Sequence, residues 1–572
     1  MVVGAGAAVL LVAGAYAAGG DTLVTSGSHV SPFSQNKQNE PTVAIDQANP
    51  SVLAAGSNDN IDMEACNAGD PTTCPFTGGV GSTGVYFSFD GGQSWSQPTY
   101  TGWTARDCLG PAACQPQVGD IGTLPNYYEA GLVSDGDPTV AFGPSPGANG
   151  RFSYSNGSRL YFGNLTANFS AVRSETAFKG FENIAVSHTD NLEAAAAGSN
   201  AAWSAPALVG KQNSALFNDK INVWADNAAT SRFFGNAYVC NTSFRGQEKG
   251  NAAPAPILIY RSTDGGTTWS NPVQLSAATN NSQTGGRQDC AMRTDSVGSV
   301  YVYWDGFVGN TRTGAIFQAR SVDGGQHFEK AQVIATFTPC GIFDPPNGTL
   351  SFDGIAGDRT GSEPIADIAN GAPTGSDATN EIVLTYCDGA TPTDTSPGSN
   401  ERAVVIYSTD GGNTFHSAGN AADSGDRPDF PAVSISPDGT NVWLDYDAFL
   451  QPWQSTTAAA RMMQGVVRHA TITAGTPSAF ADIHRGTTGD SRASSANDLT
   501  SGFIGDYNYT AASRTAGVAV WNDVRNAADC PAIDAYRESL VGGPAAPRPA
   551  PQTDCPATFG NTDIWGGSFP NP

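Results

Sequence analysis

The 572 residues carry a formal charge of −25 at neutral pH and a pI near 4.4, which excludes nucleic acid and anionic membrane surfaces as partners because both would be repelled. Only 14% of residues are charged while Gly (67) and Pro (36) are plentiful, a balance that favours a turn-rich β protein. Ten cysteines, an even number with no CxxC or His-x-x-x-His spacing, fit an oxidising compartment better than a zinc site.

Residues 1–18 form an apolar run ending near Ala15-Tyr-Ala17, a small-residue pattern suited to a signal peptidase. It lacks a basic head, so an uncleaved membrane anchor is the alternative, and the chain is expected to be secreted or held at the cell surface.

From Glu40 onward, strand-like runs headed by a carboxylate recur at Glu40, Asp137, Asp219, Asp289, Glu363, Asp429 and Asp506. Behind each comes a turn and a second apolar run ending at Asn58-Asp59, Asn164, Asn241, Asp305, Asp388, Asp447 and Asp523. Seven such units of short strands and Gly-rich turns, without helix-period segments, predict an all-β propeller of four-stranded antiparallel blades over residues 30–540. Residues 541–572, opened by a Pro-rich stretch, read as a C-terminal tail packed on the propeller or trailing it.

Four units close with the same turn: Ser88-Phe-Asp90-Gly-Gly-Gln-Ser-Trp95, Ser262-Thr-Asp264-Gly-Gly-Thr-Thr-Trp269, Ser321-Val-Asp323-Gly-Gly-Gln-His-Phe328 and Ser408-Thr-Asp410-Gly-Gly-Asn-Thr-Phe415. The Asp can accept bonds from backbone N–H groups, the glycines supply positive φ, and the aromatic packs beneath. Unit two keeps a worn copy, Ser187-His-Thr-Asp190. Ser436-Pro-Asp438-Gly-Thr440 lacks the second Gly and reads as an ordinary hairpin turn.

The repeated Ser-x-Asp-Gly-Gly-x-x-aromatic turn resembles the Asp-box of the sialidase-type β-propellers. Sialidases have six blades; the repeat count favours seven here, with six as the alternative. The resemblance implies a structural role for Asp90, Asp264, Asp323 and Asp410. It also implies a glycoside hydrolase that uses three arginines to hold a substrate carboxylate, a Tyr nucleophile assisted by Glu, and an Asp acid/base. The family's first arginine lies in a Phe-Arg-Ile-Pro motif, where this chain reads Asn39-Glu-Pro-Thr-Val-Ala-Ile45 without arginine. The expected substrate is therefore a neutral extracellular glycan or glycoprotein rather than a sialylated one.

Strand alternation places the carboxylate heads on the ring face opposite the Asp-boxes. Three readings compete for this acidic rim: backbone capping, a calcium site, and glycoside hydrolysis. The catalytic candidates are Asp137, Asp289, Asp429, Asp506 and Tyr507 with Arg287 and Arg427; Arg293, Arg359 and Arg525 are further local arginines. Asp59, Asp62, Asp135 and Asp137 are the calcium candidates, no cofactor being otherwise required. Trp103, Trp304, Trp453 and the Tyr127-Tyr128-Glu129 run offer sugar-stacking surfaces. The rival to hydrolysis is a non-catalytic propeller binding glycan or protein.

Overall fold

A computed structural model describes residues 20–26, 37–74, 77–122, 124–169, 182–210, 216–245, 255–277, 287–308, 313–344, 349–351, 355, 358–389, 401–454, 456–496 and 501–572. The N-terminal apolar run lies outside them.

Seven innermost strands pack each against the next around a closed circle: Gln38–Ile45, Thr139–Pro146, Leu216–Ala225, Arg287–Thr294, Ile365–Ile368, Arg427–Ile435 and Tyr509–Ala512, which returns to the first. Each begins an antiparallel blade that steps outward, as in Leu216–Ala225, Ala237–Arg245, Ile257–Ser262 and Val273–Gln274 of blade three. The fold is a seven-bladed β-propeller. Its core lies between blades, where apolar faces of neighbouring sheets meet: Tyr301, Tyr303 and Ile316 of blade four pack with Ile382, Leu384 and Ile406 of blade five.

Blade seven joins the two ends of the chain. Its third strand, Asp563–Pro570, pairs with Ala516–Asp523, and Thr22–Leu23 adds the outermost strand against Trp565 and Gly566. The C-terminal residues that the sequence reading set apart as a tail thus supply a ladder of this blade, because their alternating Ile564, Gly566 and Ser568 positions fit the interior. Before it, the helix Pro531–Leu540 and the Pro-rich stretch fill an excursion at the end of the second strand.

All four Asp-boxes follow third strands, as the alternation required. In the first, Asp90 Oδ1 accepts from Ser88 Oγ at 2.9 Å and from the N–H groups of Gln93 and Ser94, both at 2.9 Å. The Ser436 turn lies between first and second strands of blade six. A regular latch joins the corners: Arg159, Arg261 and Arg320 each donate to a box carbonyl of the next blade, at Gly265, Gly324 and Gly411.

Candidate functional site

The first strand of a blade begins at the opposite face, and there the backbone is bent. In blades one, three, four and six the pairing slips between Asn39 and Thr42, Asp219 and Asn222, Gln288 and Ala291, and Asp429 and Ala432. The bulge residues adopt left-handed φ: Glu40 at 56°, Lys220 at 53°, Asp289 at 62° and Phe430 at 50°; Asp137 at 48° stands at the same offset in blade two. Non-Gly residues pay strain for this conformation, a recurring mark of functional positions. The repeating head is therefore Glu40, Asp137, Lys220, Asp289, Glu363, Phe430 and Tyr507. The carboxylates Asp219, Asp429 and Asp506 stand one residue earlier, so the sequence repeat was one residue out of register in three blades.

Most of these side chains meet at one end of the channel. Lys220 Nζ bonds Asp506 Oδ2 at 2.6 Å and Glu363 Oε1 at 2.8 Å, and lies 5.6 Å from the centre of the Tyr507 ring. Arg359 Nη2 is 2.9 Å from Asp506 Oδ2 and 3.9 Å from Glu40 Oε1. Asn58 ties the rim together, donating to Glu40 Oε2 at 2.7 Å while its Oδ1 accepts from the Asp137 N–H at 2.9 Å. Carboxyl groups also face one another in pairs: Asp219 with Asp137, Asp137 with Glu40, Glu40 with Asp506, and Glu363 with Asp289.

Crowding buried carboxyls splits their proton affinities. Burial first, and then the Asp506 charge, push Glu40 up to about 7. Burial and Glu40 push Asp137 up to about 8. Asp219, Asp289 and Glu363 are also raised, by burial and then by Asp137, Asp305 and Asp289 respectively. Asp506 goes the other way: burial alone would raise it, but Arg359 and Lys220 pull it below the ordinary carboxylate value. Lys220, with a side chain only 7% exposed, is the stronger anchor, since Arg359 is 45% exposed and screened by solvent. Tyr507 is raised by burial and by Asp137, which leaves it a neutral phenol.

Other candidates lie elsewhere. Asp429 turns to Thr360, whose hydroxyl donates at 2.5 Å, and to a second buried acidic group with Asp358 and Asp447. Arg427 is spent on Glu401 and the Gln451 carbonyl. Arg293 sits deeper in the channel, bonded to Asp367 and stacked on Trp224, and Arg525 holds Asp523 and Asp21. The side chain of Arg287 lies outside the described residues. A three-arginine clamp is absent among the described residues of the rim, where Arg359 is the arginine present.

Asp59 is engaged by Gln38, Tyr86, Gln97 and the Ile61 N–H. Among the described residues no three His, Cys, Asp or Glu side chains converge to hold a metal ion, Asp59, Asp62, Asp135 and Asp137 included. Trp103 stacks flat on Tyr128 at 5.4 Å, with Phe169 edge-on to both. Trp304 is core, stacked on Phe317, and Trp453 is half-buried.

Five disulfides link Cys66–Cys74, Cys108–Cys114, Cys240–Cys290, Cys340–Cys387 and Cys530–Cys555. Three are the near neighbours in sequence; the other two cross between units. Among the described residues no helix is long and apolar enough to cross a membrane.

The BNR/Asp-box repeat family matches residues 86–97, the first box. No curated protein matches the chain. Among solved structures it is similar to the sialidase of Trypanosoma rangeli (11% identity, 80% of this chain and 60% of that one, TM-score 0.38) and to the Hadza microbial sialidase Hz136 (10%, 88% and 94%, 0.39). It is also similar to the α-L-arabinanase of Penicillium chrysogenum (12%, 75% and 93%, 0.39). With four such boxes at equivalent corners of a closed seven-bladed ring, the chain is a β-propeller that carries Asp-box repeats.

Proposed function

We propose that this is a secreted, carbohydrate-active propeller that hydrolyses a non-sialylated glycoside of extracellular glycan at the channel mouth. One observation carries the reading: a single ammonium, Lys220, bonds both Asp506, which Arg359 and Lys220 pull below the ordinary carboxylate value, and Glu363, which burial and Asp289 push above it. Environments that drive two carboxyls apart in proton affinity divide the work of acid and nucleophile between them. The bonded oxygens lie no farther apart than the sum of their contacts with Lys220, an upper bound that does not exceed the roughly 5–5.5 Å separation of retaining glycoside hydrolases.

In this scheme Asp506 attacks the anomeric carbon and Glu363 protonates the leaving oxygen. Glu363 then takes a proton from the water that releases the sugar. Their side chains are 13% and 14% exposed, so a substrate must reach them past Arg359 and Tyr507. Arg359, the one arginine among the described residues of the rim, is a poor clamp by itself for a sialic acid carboxylate, hence the non-sialylated substrate. The five disulfides fit secretion.

Release of 4-methylumbelliferone from a glycoside panel, sialoside included, tests the proposal. Turnover of a non-sialylated member that falls at least about 10²-fold in Asp506→Asn supports it. No turnover of any member, with binding retained on a glycan array, transfers the site to the rival non-catalytic reading, which the filled gap between Asp506 and Glu363 favours.

A further inference from the structure

The sequence pattern gives every blade head an acidic or aromatic character except one. Lys220 occupies in blade three the left-handed position that holds Glu40, Asp137 and Asp289 in blades one, two and four. From there it reaches across the channel to the entry segments of blades five and seven, where Glu363 and Asp506 stand. Its own backbone is fixed from both sides. The Lys220 N–H is 2.9 Å from Asp219 Oδ1, and the carbonyl faces Cys290 Sγ at 3.5 Å, where the Cys240–Cys290 bridge ties blade three to blade four.

We propose that Lys220 is the positioning residue of the site: by bonding Asp506 and Glu363 together across the channel it holds the two carboxyls in one geometry and favours the ionised form of Asp506. A lysine on a bulge tethered by a disulfide cannot follow one partner without leaving the other, so both carboxyls are held in one geometry. Arg359 touches the same Asp506 oxygen but is open to solvent, and cannot substitute for a buried ammonium. Around Lys220 stand Glu40, Asp137, Asp219, Asp289, Glu363, Asp506 and Tyr507, all acidic or phenolic, with Arg359 the other cation among the described residues; removing the ammonium leaves those carboxyls competing for protons.

This rests on reading Asp506 as the charged carboxylate, so the test is chosen to need no substrate. The carboxyl ¹³C resonance of Asp506, assigned through Asp506→Asn, is followed with pH in the wild type, Lys220→Met and Lys220→Arg. The midpoint is expected to rise by about one to three pH units in Lys220→Met and to return most of the way in Lys220→Arg. A midpoint unmoved in a folded Lys220→Met protein overturns the proposal, whatever the glycoside panel shows.

Should Lys220→Met fail to fold, the coupling is read from its other end, since linkage makes it reciprocal. The Lys220 ammonium should titrate lower in the isosteric Asp506→Asn variant than in the wild type. An unchanged Lys220 titration overturns the proposal equally.

Discussion

The two faces of this ring use the same residue for opposite ends. On the Asp-box face, Asp323 and Asp410 sit at the surface and are held at about 2 by local hydrogen bonds: Asp323 from the His327 backbone and side chain, Asp410 from the Thr414 hydroxyl and N–H. At the channel mouth, burial and neighbouring carboxylates hold Asp137 at about 8. A carboxylate repeated around a circle is thus a turn clamp where N–H groups converge on it, and a proton store where other carboxyls do. The means of holding each face differ as well. The box corners hand arginine hydrogen bonds from blade to blade, whereas all five described disulfides lie on the mouth side, where the like charges gather.

The sharpest way to break this comparison is to cut the cross-link beneath the mouth. Cys240 and Cys290 are 50 residues apart, so their bond closes a long loop in the unfolded chain and is worth about 4 kcal/mol on chain-entropy grounds. The double variant Cys240→Ser/Cys290→Ser is expected to lose about that much in denaturant unfolding. Cys66→Ser/Cys74→Ser, with a separation of 8, is expected to lose about 2–3 kcal/mol. Equal losses would show that native packing, not loop closure, governs these bridges.

The pH dependence of stability sharpens the contrast further. Glu40 and Asp137 bind protons in the folded state up to about 7 and 8, against ordinary values of 4.5 and 3.8. The stability they contribute is complete below about pH 4 and is lost as pH rises through 7 and 8, because the folded chain then has more protons to give up. Asp506 and the box aspartates act in reverse: their contribution is present above about pH 4 and lost as pH falls through their depressed values. Melting temperature is therefore expected to peak at about pH 4–6 and decline toward pH 9. Asp137→Asn should flatten the alkaline limb, and Asp410→Asn should change the acid limb alone. A melting temperature that climbs from pH 5 to 8 would contradict the assignment of protons at the mouth.

Much of the ring was legible in the sequence, because the Ser-x-Asp-Gly-Gly turn and the period-two strands are local patterns. The seven units, the box corners and the convergence of Glu40, Asp137, Asp289, Glu363 and Asp506 all follow from strand alternation. What escaped was one residue of register. A bulge adds a residue without changing the apolar alternation after it, so Asp219 drew the eye and Lys220, the group that binds the site together, did not. The Pro following Glu40, Asp137 and Glu363 was the available signal: Ile221 and Cys290 stand at the same step, which places Lys220 level with Asp289. Pro431 after Phe430 gave the same signal that Asp429 stands one residue early; its partner Asp358 had none, since it comes from a connection between blades. The fate of Asp563–Pro570 was hidden by the helix and Pro-rich excursion that separate it from the rest of its blade.

On the box face the expected effects are smaller, and they divide between two positions of the repeated turn. Asp264 accepts from Ser262 Oγ at 2.8 Å, Thr268 N–H at 2.9 Å and Thr268 Oγ1 at 2.6 Å, all within one exposed corner that water can re-solvate. Asp264→Ala is therefore expected to cost only about 1 kcal/mol. Gly325 is a different matter: its φ is +79°, and an added Cβ would lie 3.1 Å from Tyr238 of the neighbouring blade. Gly325→Ala forces both a strained backbone and a shift of that buried ring, and is expected to cost about 1–3 kcal/mol. If chemical denaturation ranks the two the other way, the Asp is holding the blades together through more than its own turn, and the box face would share the cross-ring role assigned here to the mouth.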